Sequence, residues 1–256
     1  MILYKTLRIR EMIDVPKKHK DEITLSYFDK NTPNYTARRY KSVIGFINQQ
    51  KKENCSLIDV GCGDGTVLNM FKTKTNISTF LGLDISKNYL RLVKERIGCD
   101  TFHGSILDDM VIKKINKKFD YVIIGAMLHH LIGESRDESK LWANKALQNA
   151  FSLLSFGGHL IILEPIYSPK GSMDIVFNIK KFITKFTVNR LNILKYDNNI
   201  GAPVVSYYDK ETLIRLMKDC TSEKPIFERY ISRNILLSMK LIGVKNRGEL
   251  LLIYKK

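Results

Sequence analysis

Short apolar runs alternate with amphipathic or polar stretches through the middle of the chain. The runs cover residues 57–60, 80–84, 119–124 and 159–163. They are apolar and rich in β-branched residues without polar alternation, a pattern typical of strands buried on both faces. Helical patterns at 87–97 and 139–154 lie between them. The series predicts a βαβαβ order and a parallel sheet with right-handed crossovers.

The flanking segments depart from this order. Residues 1–54 predict helices ahead of the sheet, and apolar residues in 173–190 recur at steps of three and four with lysines between them, which predicts a basic amphipathic helix. Asp209 is expected to cap a helix that runs through Lys218, and 226–232 and 249–255 predict strands at a sheet edge.

Charge and cysteine usage narrow the class of protein. Forty-two Lys and Arg against 26 Asp and Glu give a net charge of +16, which attracts anionic partners. The lysines are spread along the chain without an Arg-rich stripe, so a nucleic-acid footprint is not favoured. Four cysteines without a C-x-x-C pair suggest free thiols in a reducing cytosol, hence a cytoplasmic protein. No apolar stretch reaches the ~18 residues that spanning a bilayer requires.

The motif with the clearest chemistry is the glycine-rich turn after the first buried run. Residues 57–66 read Leu-Ile-Asp-Val-Gly-Cys-Gly-Asp-Gly-Thr, a strand that ends in three alternate glycines and opens a helix. Glycine lets the chain turn sharply and lets a ligand approach the backbone. Asp84 closes the next run, where a carboxylate can accept hydrogen bonds from both hydroxyls of a ribose. This order predicts a nucleoside-binding unit.

The spacing of the glycines and the acid before them indicate which nucleoside this unit binds. Dinucleotide folds use G-x-G-x-x-G to receive a pyrophosphate, whereas this turn is G-x-G-x-G and follows Asp59. A carboxylate there suits a ligand with an ammonium group better than one with a phosphate. A P-loop is excluded because no Lys-Ser/Thr pair ends the turn.

With these features the chain resembles the class I S-adenosylmethionine-dependent methyltransferases, through about residues 25–170. Residues 59–65 look like the family's first motif and 83–86 like its acidic second. Residues 119–131, which end in Leu-His-His-Leu, are similar to the fourth strand and following turn of small-molecule members, including the quinone-biosynthesis type. Residues 153–160 resemble the turn into strand five, with Phe156 where proline is usual.

The resemblance implies a Rossmann-like α/β fold: a mostly parallel seven-stranded sheet flanked by helices, with N-terminal helices and a helical insertion after strand five. Residues 1–256 are expected to form a single methyltransferase domain. Its parts are an N-terminal helical cap (1–54), a cofactor-binding core (55–169), a helical lid insertion (170–205) and a C-terminal helix with edge strands (206–256).

The family pattern also assigns residues to the cofactor, S-adenosylmethionine. The glycine turn would wrap its methionine part, Asp59 would meet the amino end, and Asp84 with Ile85 would bind ribose and adenine. The usual acid after the third strand is absent, so Ser105 or Asp108 would replace it. The full set of expected contacts is Asp59, Gly61, Cys62, Gly63, Gly65, Asp84, Ile85, Ser105, Ile106, Gly125, Met127, and Tyr35 with Arg39 from the N-terminal helices.

Three residues are candidates for removing a proton from the acceptor. His130 is the first choice, followed by His129 and Glu164: a histidine at the cleft has a pKa near neutrality, and Glu164 leaves the fifth strand at the carboxyl end of the sheet. A packing or capping role is an equal alternative for the histidines, and a structural role is an equal alternative for Glu164. Adjacent histidines point to opposite sides of a helical turn, so no metal site is expected.

The sequence therefore predicts methyl transfer to a small-molecule acceptor, apolar or anionic, through oxygen. Two alternatives remain open: an RNA or lipid-headgroup methyltransferase that uses the basic surface, and a cofactor-binding scaffold or partner subunit without catalysis. The helix at 173–190 is expected to be a lid, with peripheral membrane contact as its alternative. The oligomeric state is not determined by the sequence.

Overall fold

The computed structural model describes residues 37–187 and 204–256. Helices and strands alternate in the predicted order across this part of the chain. The elements are α1 (Ala37–Gln49), β1 (Ser56–Val60), α2 (Thr66–Lys74), β2 (Thr79–Asp84), α3 (Lys87–Ile97), β3 (Asp100–His103), α4 (Asp109–Ile115), β4 (Phe119–Gly125), a 3-10 turn (Leu128–His130), α5 (Arg136–Ser152), β5 (Leu154–Ser168), α6 (Lys170–Thr187), α7 (Lys210–Met217), β6 (Phe227–Ser232), α8 (Leu237–Leu241) and β7 (Asn246–Lys255).

The seven strands form one sheet in the order β3-β2-β1-β4-β5-β7-β6. The pairs among β1 to β5 are parallel, and β7 runs antiparallel to both of its neighbours. The predicted mostly parallel, seven-stranded fold is confirmed. The prediction that 249–255 lies at a sheet edge is wrong: β7 is inserted between β5 and β6, and only β6 is at the edge. Leu250–Tyr254 are buried on both faces, so this stretch needs a strand on each side.

Two apolar layers cover the sheet. Successive residues of β1 point to opposite faces, so Ile58 packs with β4, β5 and α5, whereas Leu57 packs with α1, α2 and α3. Buried Val and Ile in β4 and β5 join both layers. The parallel strands are thereby fixed in register, and all of their carboxyl ends come to the same edge of the sheet.

Side chains at the helix starts set where the chain turns at that edge. Ser86, Ser135 and Asp209 each accept a hydrogen bond from a backbone N–H in the first turn of α3, α5 and α7. The expected cap at Asp209 is confirmed. Asp108 does the same for α4.

The amphipathic helix after β5 is present as α6, and its apolar residues divide between two sides. Met173 and Phe177 are buried, but Ile179, expected on the same face, is 50% exposed. The side chains of Phe182, Ile183 and Phe186 lie outside the described residues. Among the helices that the structure describes, none is long and apolar enough to cross a membrane.

A substitution at Gly65 tests how closely the glycine turn packs against α3. Its φ is +79°, and an added Cβ would lie 2.8 Å from Val93 Cγ2 and in contact with Ile97. We expect Gly65→Ala to lower the free energy of unfolding by about 2–4 kcal/mol, through left-handed strain and overpacking together. Urea denaturation measures it. Gly98→Ala is the matched control, because Gly98 has φ +64° but open space around its Cβ position; it should cost only about 1 kcal/mol. Equal losses would contradict the packing argument.

Candidate cofactor and acceptor site

The glycine turn is held against the end of β2 by its own backbone. The N–H groups of Gly61 and Cys62 both donate to the carbonyl of Leu83, at 2.8 and 3.2 Å. All three glycines have φ between +52° and +79°, and a Cβ at Gly63 would meet nothing within 4 Å. The turn is therefore a fixed backbone surface with open space above Gly63, which suits close approach of a ligand.

Asp84 lies at the centre of this surface. Its carboxylate accepts a hydrogen bond from Gly63 N–H at 2.9 Å and from Ser86 N–H at 2.8 Å. Ile85, the next residue, is 45% exposed although it is apolar. This places a carboxylate and a bare apolar side chain together at the end of β2, in the arrangement that a ribose and a purine ring require.

Asp59 adds a second carboxylate beneath the turn. It is 3% exposed. Burial, and then repulsion from Asp84, raise the pKa of Asp59 to about 7. A buried carboxylate beside a second one is stabilised by a cation, so the site suits a ligand that carries an ammonium or sulfonium group. The residues present fit S-adenosylmethionine by this criterion.

The turn after β4 forms the other wall. A Cβ at Gly61 would lie 2.7 Å from Met127 Cγ, so the turns after β1 and β4 are in contact. A Cβ at Gly125 would clash with the hydroxyl of Tyr40, which α1 brings to the end of β4. The N-terminal helix therefore does contribute a tyrosine here, but it is Tyr40, a residue the sequence did not single out.

Of the two residues expected from the N-terminal helices, the structure describes Arg39 alone. Arg39 is 2.9 Å from Glu249 of β7 through its Nε, and Arg233 contacts the same carboxylate at 2.7 Å. Arg39 is thus engaged with the strand beside β5. Tyr35 lies outside the described residues, and its expected contact remains a prediction.

Three other expected cofactor contacts point elsewhere with their side chains. The Cys62 thiol packs on Gly82, and burial raises its pKa. Ile106 is 5% exposed and lies in the core, with its carbonyl accepting from Asn149 at 2.7 Å. Ser105 accepts from Leu107 N–H at 3.2 Å, and Asp108 caps α4. A cofactor contact at Cys62 or Ile106 would have to use the backbone.

Glu164, which lies in β5 just beyond its last pairing with β4, and His129, in the 3-10 turn after β4, form a buried pair. Glu164 is fully buried; one of its oxygens accepts from the N–H groups of Met127 and Leu128 at 2.7 and 2.8 Å, and the other is 2.7 Å from Nδ1 of His129. Because the Glu164 carboxylate already accepts hydrogen bonds from two N–H groups, it is also the acceptor in its contact with His129. Nδ1 of His129 therefore carries the proton. Nε2 of His129 is then left with its lone pair.

Aromatic rings cover this pair. Tyr207 stacks on His129 with ring centroids 5.2 Å apart, and Tyr167 lies 4.4 Å from Tyr207. His130 is adjacent, 4.0 Å from His129 between centroids; burial, and then the neighbouring His129, hold its pKa well below the usual range. The sequence did not single out Tyr167, in β5, or Tyr207, before α7, because only folding brings them to His129.

The titration of Asp59 predicts a pH dependence of stability. Its pKa is about 7 in the folded chain against an ordinary 3.8, so the folded state holds this proton more tightly than the unfolded state. The protein without cofactor should therefore lose stability as pH rises. Between pH 5 and 8, we expect the free energy of unfolding of the wild type to fall by about 2–3 kcal/mol relative to that of Asp59→Asn.

Urea denaturation at pH 5, 6, 7 and 8 measures this difference. Asp100→Asn is the control, since Asp100 is exposed at the start of β3; its stability should run parallel to that of the wild type. A constant difference between wild type and Asp59→Asn across this range would show that Asp59 is ionised throughout.

Comparisons with known proteins agree with this geometry. Residues 58–160 match the family model described as "Methyltransferase domain". Protein 235L of Invertebrate iridescent virus 6, named as a methyltransferase, is 26% identical over 120 residues; the match covers 43% of this chain and 44% of the relative. The matched region thus spans less than half the length of that curated relative.

Solved structures share the fold at low sequence identity. A SAM-dependent methyltransferase of Methanosarcina mazei superposes with a TM-score of 0.54 at 14% identity, over 82% of this chain and 96% of that one. The N-methyltransferase NodS of Bradyrhizobium japonicum gives 0.51 at 9% identity, over 86% and 95%. Together with the family match over residues 58–160, the strand order and the glycine turn, these structures show that the chain has the class I methyltransferase fold and is similar to S-adenosylmethionine-dependent methyltransferases.

Proposed function

We propose that this chain transfers a methyl group from S-adenosylmethionine to an oxygen of a small-molecule acceptor, with His129 as the general base and Glu164 as its positioning residue. The observation that carries the proposal is the buried pair itself, with Glu164 Oε2 2.7 Å from His129 Nδ1. When bound, S-adenosylmethionine supplies an electrophilic methyl group on a positively charged sulfur. A hydroxyl acceptor must in addition lose a proton, which an amine with a free lone pair need not do.

Glu164 holds His129 ready for that proton. The carboxylate is fixed by two backbone N–H groups, so it cannot turn away, and the protein around it excludes water. A proton taken up at Nε2 would produce an imidazolium directly beside the Glu164 carboxylate, which stabilises the new charge. This favours His129 over His130, whose neutral, buried ring has a lowered pKa and is a weaker proton acceptor.

The cofactor side of the site is assigned to the turn after β1 and to the two acids near it. The turn would hold the methionine part by its backbone, Asp59 its ammonium group, and Asp84 the ribose hydroxyls. Met127 and Gly61 pack together between this surface and the turn that carries His129. Binding and orientation of the two reactants supply much of the rate, because alignment alone is worth up to ~7–11 kcal/mol.

The acceptor side supports an apolar or aromatic molecule. Tyr207 and Tyr167 lie over His129 as two adjoining rings, and Arg247 is 5.8 Å from the ring of Tyr167. Rings of this kind offer flat apolar surface. A nearby guanidinium suits an acceptor that also carries an anionic group.

A cationic cavity favours RNA as a second candidate acceptor. It is a cleft of about 440 Å³, open to solvent, between α5, α7 and the start of α6, and its lining includes Lys140, Lys170, Arg215 and Lys218 against the single acid Asp219. Basic side chains gathered in this way attract phosphate groups. The acceptor experiment below distinguishes the two candidates.

Cofactor binding should depend on Asp84. We expect Asp84→Ala to weaken binding of S-adenosylmethionine by about 100-fold, because two hydrogen bonds from the ribose to a carboxylate are lost. Calorimetry on the full chain measures the affinity. Asp84→Asn should lie between wild type and the alanine variant, and Asp100→Ala, at the far end of β3, should bind as wild type does. Unchanged affinity in Asp84→Ala, or clean titration with NADH, would refute the assignment of the site.

Turnover should depend on His129 and Glu164 in a pH-dependent way. The first step is to incubate the protein and methyl-labelled S-adenosylmethionine with phenolic, hydroxy-acid, amine and RNA acceptors. With the oxygen acceptor found, we expect His129→Asn and Glu164→Gln each to lower kcat by about 10²–10⁴-fold and to abolish its rise with pH. Cofactor affinity should not change. His130→Asn is the matched control and should retain kcat within a few-fold.

The outcomes separate the candidates. Label in RNA instead of small molecules would establish the second candidate. An amine acceptor whose turnover is unaffected by His129→Asn would refute general-base catalysis and oxygen transfer together. Tight cofactor binding without labelling of any acceptor would instead favour a non-catalytic role.

A further inference from the structure

Four large aliphatic side chains are exposed on or beside α8. Leu236, Leu237, Leu241 and Ile242 are 55%, 73%, 80% and 38% exposed. Single exposed apolar residues are common on soluble proteins, but four within residues 236–242 mark a surface that meets another apolar phase. We call these four residues the α8 ridge.

The ridge is held outward by packing on its inner side. Ile235, Met239 and Val244 pack with Tyr167 and Met173, so the short helix is anchored to β5 and α6. The backbone fixes it as well, since Lys245 N–H donates to Ser168 at 2.8 Å and Val244 N–H to Met239 at 3.0 Å. Leu237 and Leu241 are four residues apart on the opposite side of the helix. Their exposure follows from the fold.

The neighbouring helix α6 carries exposed apolar residues of its own. Gly243, at the end of α8, lies against Ser172 of α6: a Cβ there would be 3.2 Å from its hydroxyl oxygen. Three residues further along, α6 exposes Ile175 at 53%, and one turn later Ile179 at 50%. Two adjoining helices therefore both present aliphatic side chains to solvent.

The charges in the same two segments are positive with a single exception. Residues 233–247 contain Arg233, Lys240, Lys245 and Arg247 and no acid. Residues 170–187 contain four lysines against the single acid Asp174, whose carboxylate is 2.9 Å from Arg136. Aliphatic side chains surrounded by lysine and arginine suit the interface of a bilayer with anionic headgroups, where the apolar groups reach the acyl boundary and the cations meet phosphates.

We propose that the α8 ridge docks this protein on the surface of an anionic membrane, without crossing it. Leu237 and Leu241 enter the headgroup layer, and Lys240 and Lys245, which are exposed beside them, contact lipid phosphates. Aliphatic side chains give RNA nothing to stack on. A second copy would bring like charges together. Tyr167 packs under α8 and reaches Tyr207, so docking would bring the aromatic side of the acceptor site close to the bilayer and within reach of lipophilic acceptors.

Sedimentation with vesicles tests the proposal on the full chain. The vesicles contain phosphatidylcholine alone or with 30% phosphatidylglycerol, a composition chosen to give roughly the surface charge that recruits basic segments. We expect binding to the anionic vesicles that weakens with salt. The double variant Leu237→Glu/Leu241→Glu should bind at least about tenfold more weakly.

Two matched variants separate insertion from charge and from misfolding. Met110→Glu/Leu141→Glu makes the same change at side chains that are 55% and 51% exposed on α4 and α5, and should bind vesicles almost as wild type does. Lys240→Glu/Lys245→Glu should lose binding, whereas Lys94→Glu/Lys113→Glu, on the exposed sides of α3 and α4, should lose much less. Thermal melting and S-adenosylmethionine affinity should be unchanged in all four.

Any of three results would overturn the proposal. The first is that the wild type does not bind anionic vesicles, and the second is that Leu237→Glu/Leu241→Glu binds them as the wild type does. The third is a dimer, detected by light scattering, that the same double variant dissociates, which would assign the α8 ridge to a second copy of the chain. All three results are independent of the acceptor and of the reaction chemistry, so they would refute membrane docking without refuting the proposed function.

Discussion

Parallel pairing of buried strands is the constraint on which the rest of this structure depends. Because β1, β2, β4 and β5 run in the same direction, their carboxyl ends meet at one edge, and each strand delivers its final residues there. Three acids arrive in this way, Asp59, Asp84 and Glu164. No single strand could build a site from them. The sheet does so because two apolar layers fix its register, and a slip of one residue would turn these side chains to the wrong faces.

The three acids are used in different ways because their surroundings differ. Asp84 receives two backbone N–H groups and stands beside an exposed apolar residue, as a polar contact for a ligand. Asp59 is buried near Asp84 without such support, and its pKa rises to about 7. Glu164 is buried more completely, but backbone N–H groups and His129 satisfy its oxygens. Hydrogen bonding to the carboxylate, and not depth of burial alone, therefore distinguishes Asp59, whose charged form is destabilised, from Glu164, which can position a neighbouring side chain.

The helices and strands added to the parallel strands supply the contacts that are particular to this chain. Helix α1 places Tyr40 against Gly125, and β7 carries Glu249 to Arg39 and Arg233. Tyr207, which precedes α7, covers His129. Helix α8 packs on Tyr167 and directs leucines to solvent. These additions surround the acceptor side of the site, so we expect the acceptor and the location of the reaction to be selected by them and not by the cofactor core.

The sequence by itself determined the fold and the position of the glycine turn and Asp84 at one edge of the sheet. Strand periodicity, the glycine turn and Asp84 are local features, each encoded within a few residues, and helix starts such as Asp209 depend on one side chain. Only the tertiary structure decided the rest: the pairing of His129 with Glu164, the contact of Tyr40 with Gly125, the contact of Arg39 with Glu249, the internal position of β7 and the exposed side of α8. Each of these depends on contacts between residues far apart in the chain, and such contacts leave no periodic pattern because packing geometry sets them.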